Sequence, residues 1–165
     1  MSTQVSSQSK IVYDHADLER HITQVERPLV FTNGCFDILH RGHVDYLEQA
    51  AALGNSLLVA LNTDASVKRL NKGDGRPFNT LEDRMAVMAA LECVSIVTWF
   101  DEETPYNLIK LAHPDHLVKG GDWPVDKIVG ADLVQSWHGQ VHSIAFTFKR
   151  STSSLLDKIR NHEQS

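Results

Sequence analysis

Two histidines, His40 and His43, close a segment that reads Thr32-Asn33-Gly34-Cys35-Phe36-Asp37-Ile38-Leu39-His40-Arg41-Gly42-His43. At the start of a helix, side chains three apart share one face. The same end carries the positive pole of the helix dipole and N–H groups with no helical partner, which together attract phosphate. The pair therefore reads as donors to phosphate oxygens, with Gly42 letting a ligand approach the backbone closely. An isolated pair of this kind is more often a cap and a packed side chain. Its position after a Gly turn off a buried strand reverses that preference.

Three further clusters have the right chemistry for a polyphosphate. Lys68, Arg69, Lys72 and Arg76 are interleaved with Gly73 and Gly75, a local positive field in an acidic chain. Lys119-Gly120-Gly121-Asp122-Trp123 sets a cation and an acid around two glycines. Lys149-Arg150-Ser151-Thr152-Ser153-Ser154 puts hydroxyls behind two cations at a second helix start. Taken singly, the first reads more readily as a solvated loop, the second as a glycine turn that leaves its flanking charges unexplained, and the third equally as ordinary capping. Arg84 either points at the same site or pairs with Glu82 or Asp83 outside it. There is no Gly-x-Gly-x-x-Gly, P-loop or Gly-x-Ser-x-Gly. The proline in His113-Pro114-Asp115-His116 breaks the helical spacing a metal pair would use.

The elements that must position these residues follow from hydrophobic periodicity. Leu18, Ile22 and Val25 predict a helix over 14–26. Leu29-Val30-Phe31 predicts a buried strand running into the turn Thr32-Asn33-Gly34. A helix over 41–53 and a continuously apolar strand over 56–61 follow. Asn79-Thr80-Leu81-Glu82 reads as a capping box with Asn79 as N-cap, opening a helix to Leu91. Strands are predicted over 94–100, at Leu117-Val118 and over 141–148. Helices are predicted from Thr104-Pro105 to Ala112, weakly over 126–138, and from Ser151 to Ile159. Strands alternate with helices throughout, so the expected fold is α/β: a Rossmann-like, five-stranded parallel sheet with helices on both faces. In such sheets ligands sit off the carboxyl ends of the strands where strand order reverses, which directs attention to the loops at 32–43, 62–79, 119–124 and 149–153.

Composition bounds the function. The 165 residues suit one domain, here 11–165 behind a flexible tail at 1–10. A net charge of -5 argues against nucleic acid, and no run approaches the apolar length of a membrane helix. The polar start lacks a signal-peptide core, so a cytoplasmic location is expected. Cys35 and Cys93 have no metal-ligand spacing and read as free thiols.

Asn33-Gly34-Cys35-Phe36-Asp37 followed by His40-Arg41-Gly42-His43 resembles the signature of the cytidylyltransferase-like nucleotidyltransferases. Within that group the segment is most similar to the adenylyltransferases acting on D-glycero-β-D-manno-heptose 1-phosphate. The stretches Asn62-Thr63-Asp64-Ala65-Ser66, Arg76-Pro77, Leu117-Val118-Lys119-Gly120-Gly121-Asp122 and Ser151-Thr152-Ser153 are similar to them too. The resemblance spans about residues 28–160. Two departures are visible: relatives usually have Ser-Thr-Thr at 151–153, and Lys149-Arg150 is unusually basic.

The resemblance implies transfer of AMP from ATP to heptose 1-phosphate, for the lipopolysaccharide inner core. It assigns catalysis to His40, His43, Lys72 and Lys119. Nucleotide and phosphate contacts fall to Thr32, Asn33, Gly34, Cys35, Phe36, Gly42, Gly120, Asp122, Ser151, Thr152 and Ser153. Asp37, Asn62, Asp64, Arg76 and Arg84 are candidates for substrate. Mg²⁺ is expected to ride on phosphate oxygens, with no protein ligand assigned. A homodimer is expected from relatives. No kinase-length region precedes the domain, so a separate heptose kinase would supply the sugar phosphate. The competing readings are a cytidylyltransferase for glycerol 3-phosphate and an ATP-binding sensor without turnover.

Overall fold

The computed structural model describes residues 6–71, 73, 75–148 and 151–162. Strands β1 (Leu29–Gly34), β2 (Ser56–Asn62), β3 (Ile96–Phe100), β4 (His116–Gly120) and β5 (Gln140–Ile144) form one sheet in the order β3-β2-β1-β4-β5. Every neighbouring pair is parallel. Between and after them run helices α1 (His15–Gln24), α2 (Arg41–Ala51), α3 (Asp64–Arg69), α4 (Leu81–Ala89), α5 (Tyr106–Ala112), α6 (Ala131–Ser136) and α7 (Thr152–His162). No helix among the described residues is long and apolar enough to cross a membrane.

Alternate strand residues point to opposite faces, which explains the unbroken apolar runs. Leu29, Phe31, Leu58, Ala60, Ile96 and Leu117 face Leu18 and Ile22 of α1, Ile109 of α5 and Val134 of α6. Val30, Leu57, Val59, Leu61, Val97 and Val118 face Leu47 and Ala50 of α2 and Met85 and Met88 of α4. Each fully buried Leu, Val or Met contributes about 1.5–3 kcal/mol, and truncating Leu58 to Ala would cost about 2–5 kcal/mol. The parallel sheet with helices on both faces is the architecture the alternation predicts.

Several boundaries differ from the sequence reading. The cap of α4 is Thr80, not Asn79: the Thr80 hydroxyl accepts from the Asp83 N–H at 3.3 Å. Asn79 is used elsewhere, donating its own N–H and its side-chain amide to Asp37. Helix α5 begins one residue later than expected, with Pro105 at its N-cap. Strand β5 ends at Ile144 rather than 148, because its one neighbour, β4, ends at Gly120, the partner of Ile144. The chain then turns across the start of α2, where the Arg41 guanidinium lies 3.9 Å above the Phe148 ring. Within the stretch read as a tail, Ser7–Lys10 form a 3₁₀ turn, and Lys10 Nζ donates to the Leu91 carbonyl at 3.0 Å.

Candidate active site

From β1 the chain steps outward to β2 and β3, then returns to place β4 on the other side of β1. The strand order therefore reverses between β1 and β4, and a crevice opens at their carboxyl ends. It has two lobes. The larger, about 560 Å³, is lined by residues that include His43, Tyr46, Arg76, Gly120, Phe146, Thr152 and Ser153. The smaller, about 260 Å³, is bounded by residues that include Asn62, Leu70, Phe100, Glu103, Thr104 and Lys127. Asn33, Gly34, Cys35, Lys119 and Trp123 border both.

His40 is the N-cap of α2, but its side chain makes no capping bond; its carbonyl accepts from the His43 N–H at 2.9 Å. The imidazoles of His40 and His43 stack, and the edge of His43 meets Phe36 with centroids 5.2 Å apart. Of the two, His43 lines the larger lobe. A β-carbon on Gly42 would lie 3.1 Å from the His40 ring, so the absence of a side chain here makes room for that histidine. Gly34 is required for a similar reason, since its β-carbon would sit 2.8 Å from the Phe36 ring. Phe36 itself has a left-handed backbone, φ 45°.

Across the crevice, Lys119 and Gly120 end β4. At the start of α7, Thr152 and Ser153 line the larger lobe. Ser151 instead caps that helix, accepting from the Ser154 N–H at 3.1 Å. One cavity thus collects an imidazole, an ammonium and the Ser153 hydroxyl at two helix N-termini, beside Thr152, whose hydroxyl donates to the Ile38 carbonyl at 3.4 Å; the set suits several phosphate oxygens.

A family model described as cytidylyltransferase-like matches residues 31–161. The chain belongs to the cytidylyltransferase-like family. It is 58% identical over 137 residues to D-beta-D-heptose 1-phosphate adenylyltransferase of Bordetella bronchiseptica, an alignment covering 83% of this chain and 85% of that protein. It is 56% identical over 133 residues to the bifunctional protein HldE of Ectopseudomonas mendocina, covering 81% of this chain and 28% of that longer protein. Among solved structures it is similar to the lipopolysaccharide core biosynthesis protein of Thermoplasma volcanium, with a TM-score of 0.58 and 26% identity. That match covers 74% of this chain and 98% of the other.

Several polar residues of this cytidylyltransferase-like domain build the site's walls and do not face its interior. Thr32 is fully buried, its hydroxyl 2.6 Å from the Tyr46 hydroxyl, so its side chain is not a nucleotide contact. The buried Asp37 carboxylate accepts from the N–H groups of Phe78 and Asn79 at 2.9 Å and pairs with Arg76 Nε at 2.9 Å. It pins the 76–79 loop, and Asp37 borders the larger lobe with its carboxylate engaged by these donors. Arg84, 2% exposed, donates Nη1 to the carbonyls of Cys35 and Asn62 at 2.8 Å and Nη2 to Asp64 at 2.7 Å. It clamps the ends of β1 and β2, so neither reading of it as a substrate contact nor as a partner of Glu82 or Asp83 holds. Asn62 lines the smaller lobe, though its amide donates to Ser66 at 3.0 Å. Asp122 is exposed and lines neither lobe. Of the basic loop, Arg76 reaches the larger lobe, whereas Arg69 pairs with Asp101 at 3.2 Å. Lys72, Lys149 and Arg150 lie outside the described residues.

Sequence reasoning missed Tyr46 and Phe146. Tyr46 follows His43 by three residues and so shares its face, a signal masked by the apolar stripe it belongs to. Burial pushes its hydroxyl up to about 12, against the smaller opposing effects of bonds to Thr32 and Gly120. It is a neutral donor across the working pH range. Phe146 was hidden in the overlong last strand.

Proposed function

We propose that this chain transfers AMP from ATP to D-glycero-β-D-manno-heptose 1-phosphate, giving ADP-heptose for the lipopolysaccharide inner core and releasing pyrophosphate. The carrying observation is the convergence of His43, Lys119, Thr152 and Ser153 on one cavity at the strand-order reversal. The identity shared with the Bordetella adenylyltransferase, over most of both chains, supports the sugar and the nucleotide. The sugar's phosphate is ionised near neutral pH, so no general base is required. One of its oxygens attacks the α-phosphorus of ATP in line. The bond from the α-phosphorus to the bridging oxygen breaks, and pyrophosphate leaves with that electron pair.

The residues act by position and charge. His43, backed by His40, donates to the α-phosphate, where negative charge crowds in the transition state. Thr152 and Ser153 hold the outgoing phosphates at the start of α7, and Lys119 neutralises charge between the two lobes. The smaller lobe suits the sugar phosphate, with Asn62, Glu103, Thr104 and Lys127 as polar contacts. Among the described residues no three His, Cys, Asp or Glu side chains cluster to cage a metal, and Asp37 is consumed by backbone donors. Mg²⁺ bound to the ATP phosphates would offset phosphate charge there, with no protein ligand assigned.

The test is pyrophosphate release with Mg²⁺, crossing ATP, CTP and GTP against heptose 1-phosphate and glycerol 3-phosphate. Release with ATP and the heptose alone is expected. Release with CTP and glycerol 3-phosphate would overturn the substrates and keep the fold. ATP binding with no release under any pairing would indicate a sensor.

A further inference from the structure

Arg41 is the first residue of α2 and stands between the two histidines. A cation at that position faces the positive end of the helix dipole, which disfavours it. The side chain is exposed, lines neither lobe of the crevice, and pairs with no carboxylate among the described residues. Its guanidinium instead covers the Phe148 ring, 3.9 Å from the centroid. Arginine suits that contact, because its flat, delocalised cation stacks on an aromatic face, whereas a lysine ammonium is a compact and more strongly hydrated charge.

Phe148 belongs to the segment 145–148, a strap that leaves β5 and runs along α2 on the way to α7. Thr147 Oγ1 accepts from Gln49 Nε2 at 3.5 Å. A β-carbon on Gly42 would lie 3.5 Å from the Phe148 carbonyl oxygen, so the strap lies against the backbone at the start of α2. Past the strap, the Thr152 hydroxyl donates to the Ile38 carbonyl at 3.4 Å, just ahead of the same helix. The strap and the first turn of α7 are therefore both attached to the stretch that carries His43. Thr152 and Ser153 line the lobe that His43 borders. Of these attachments, the Arg41–Phe148 stack is the one made at the start of α2 by a side chain with no other partner to explain it.

We propose that Arg41 is a positioning residue: by stacking on Phe148 it holds the strap, and with it the start of α7, at a fixed distance from His43. This rests on the reading above that polyphosphate occupies the larger lobe. Arg41 touches no substrate. It acts through Phe148, so that the hydroxyl end of α7 and the imidazole meet one polyphosphate together instead of in turn.

The probe is inorganic tripolyphosphate, titrated into the full chain by calorimetry, beside steady-state kinetics with ATP and heptose 1-phosphate. Arg41→Ala and Phe148→Leu, which keeps apolar bulk and lacks a ring, should each weaken tripolyphosphate and raise the KM for ATP by about fivefold, the upper end for one exposed cation–π contact. The KM for heptose 1-phosphate should stay within about twofold, and Phe148→Tyr, which keeps the ring, should stay within about twofold of wild type throughout. Arg41→Lys keeps the charge and loses the planar stack, so it should recover only part of the affinity. The double variant should cost no more than either single one, because both remove the same contact. Circular dichroism separates a folding defect, and Phe148→Met replaces Phe148→Leu in the cycle if the latter fails to fold. Additive losses in the double variant, or a loss in Arg41→Ala with none in Phe148→Leu, would put Arg41 on the phosphate itself and overturn the positioning role. Wild-type affinity in both single variants, an equal loss for heptose 1-phosphate, or no binding of tripolyphosphate by the wild type would overturn it as well. If the wild type binds tripolyphosphate and turns over no heptose 1-phosphate, the substrate assigned above fails, while the cycle still decides Arg41.

Discussion

The imidazoles of His40 and His43 lie face to face, with ring centroids 3.8 Å apart and planes 19° from parallel. His40 sits at the N-cap and His43 one turn in, so the stack fixes the orientation of the ring that borders the cavity. In the proposed reaction, a donor held this way would need no reorganisation as charge builds on the α-phosphate.

His43→Ala should therefore lower kcat by about a hundred- to a thousandfold, or roughly 3–4 kcal/mol of transition-state stabilisation. The thermal midpoint should move little, since the ring borders a cavity. Pyrophosphate release at saturating substrates is the measurement. Wild-type turnover in a folded variant would remove His43 from the reaction.

Arg84 makes the opposite case, a charged residue at the site whose role is stability. Its guanidinium satisfies buried carbonyls of Cys35 and Asn62 and also bonds the carbonyl of Asn79. Arg84→Met leaves those acceptors dry and should destabilise the fold by about 3–5 kcal/mol, read as a lowered urea midpoint. Arg84→Lys should rescue little, because an ammonium cannot span the same fork of acceptors. A midpoint equal to wild type for Arg84→Met would refute the clamp.

These two residues show what was legible in the sequence. The sheet was readable because a strand covered on both faces must be apolar at every position, as Leu57 to Leu61 are. Where a candidate site should lie followed from topology, and the meeting of His43, Lys119, Thr152 and Ser153 at one cavity was readable because strand ends and helix starts point the same way. Individual polar roles were not. Asp37 and Arg84 stand in site loops, yet the acceptors and donors they serve are backbone groups, which sequence does not display. Asn79 and Thr80 are both good caps, and the choice was made by Asp37, a residue 42 positions away from Asn79. The end of β5 was set by the length of its neighbour and not by its own apolar residues.

The strands β4 and β5 are also joined by a hydrogen bond between His116 Nδ1 and His142 Nε2, 3.0 Å apart. One ring must accept, so at least one is neutral. Burial, and secondarily the charge of His116, holds His142 below the ordinary imidazole value. A depressed value in the folded state means this stabilisation is present above about pH 6.5 and is lost as pH falls through the folded value. The thermal midpoint should drop between pH 7.5 and 5.5, and drop less in His142→Gln. Identical slopes for the two proteins would show that another group sets the acid limit.

Tyr46 gives the alkaline counterpart. Its hydroxyl is held by Thr32 at 2.6 Å and titrates near 12 because burial disfavours the phenolate. In an unfolded chain a tyrosine titrates near 10. Between these values the folded chain keeps a proton that the unfolded chain has released, so stability falls as pH rises through that window and is fully present below it. The gap corresponds to about 2–3 kcal/mol. Tyr46→Phe should cost about 1–2 kcal/mol at pH 8, since the buried Thr32 hydroxyl loses its partner. It should then lose less stability than wild type between pH 10 and 11.5, so that the two urea midpoints converge. Parallel declines across that range would mean that Tyr46 ionises no differently in the folded chain than in the unfolded one, and that its burial is not what limits the fold in alkali.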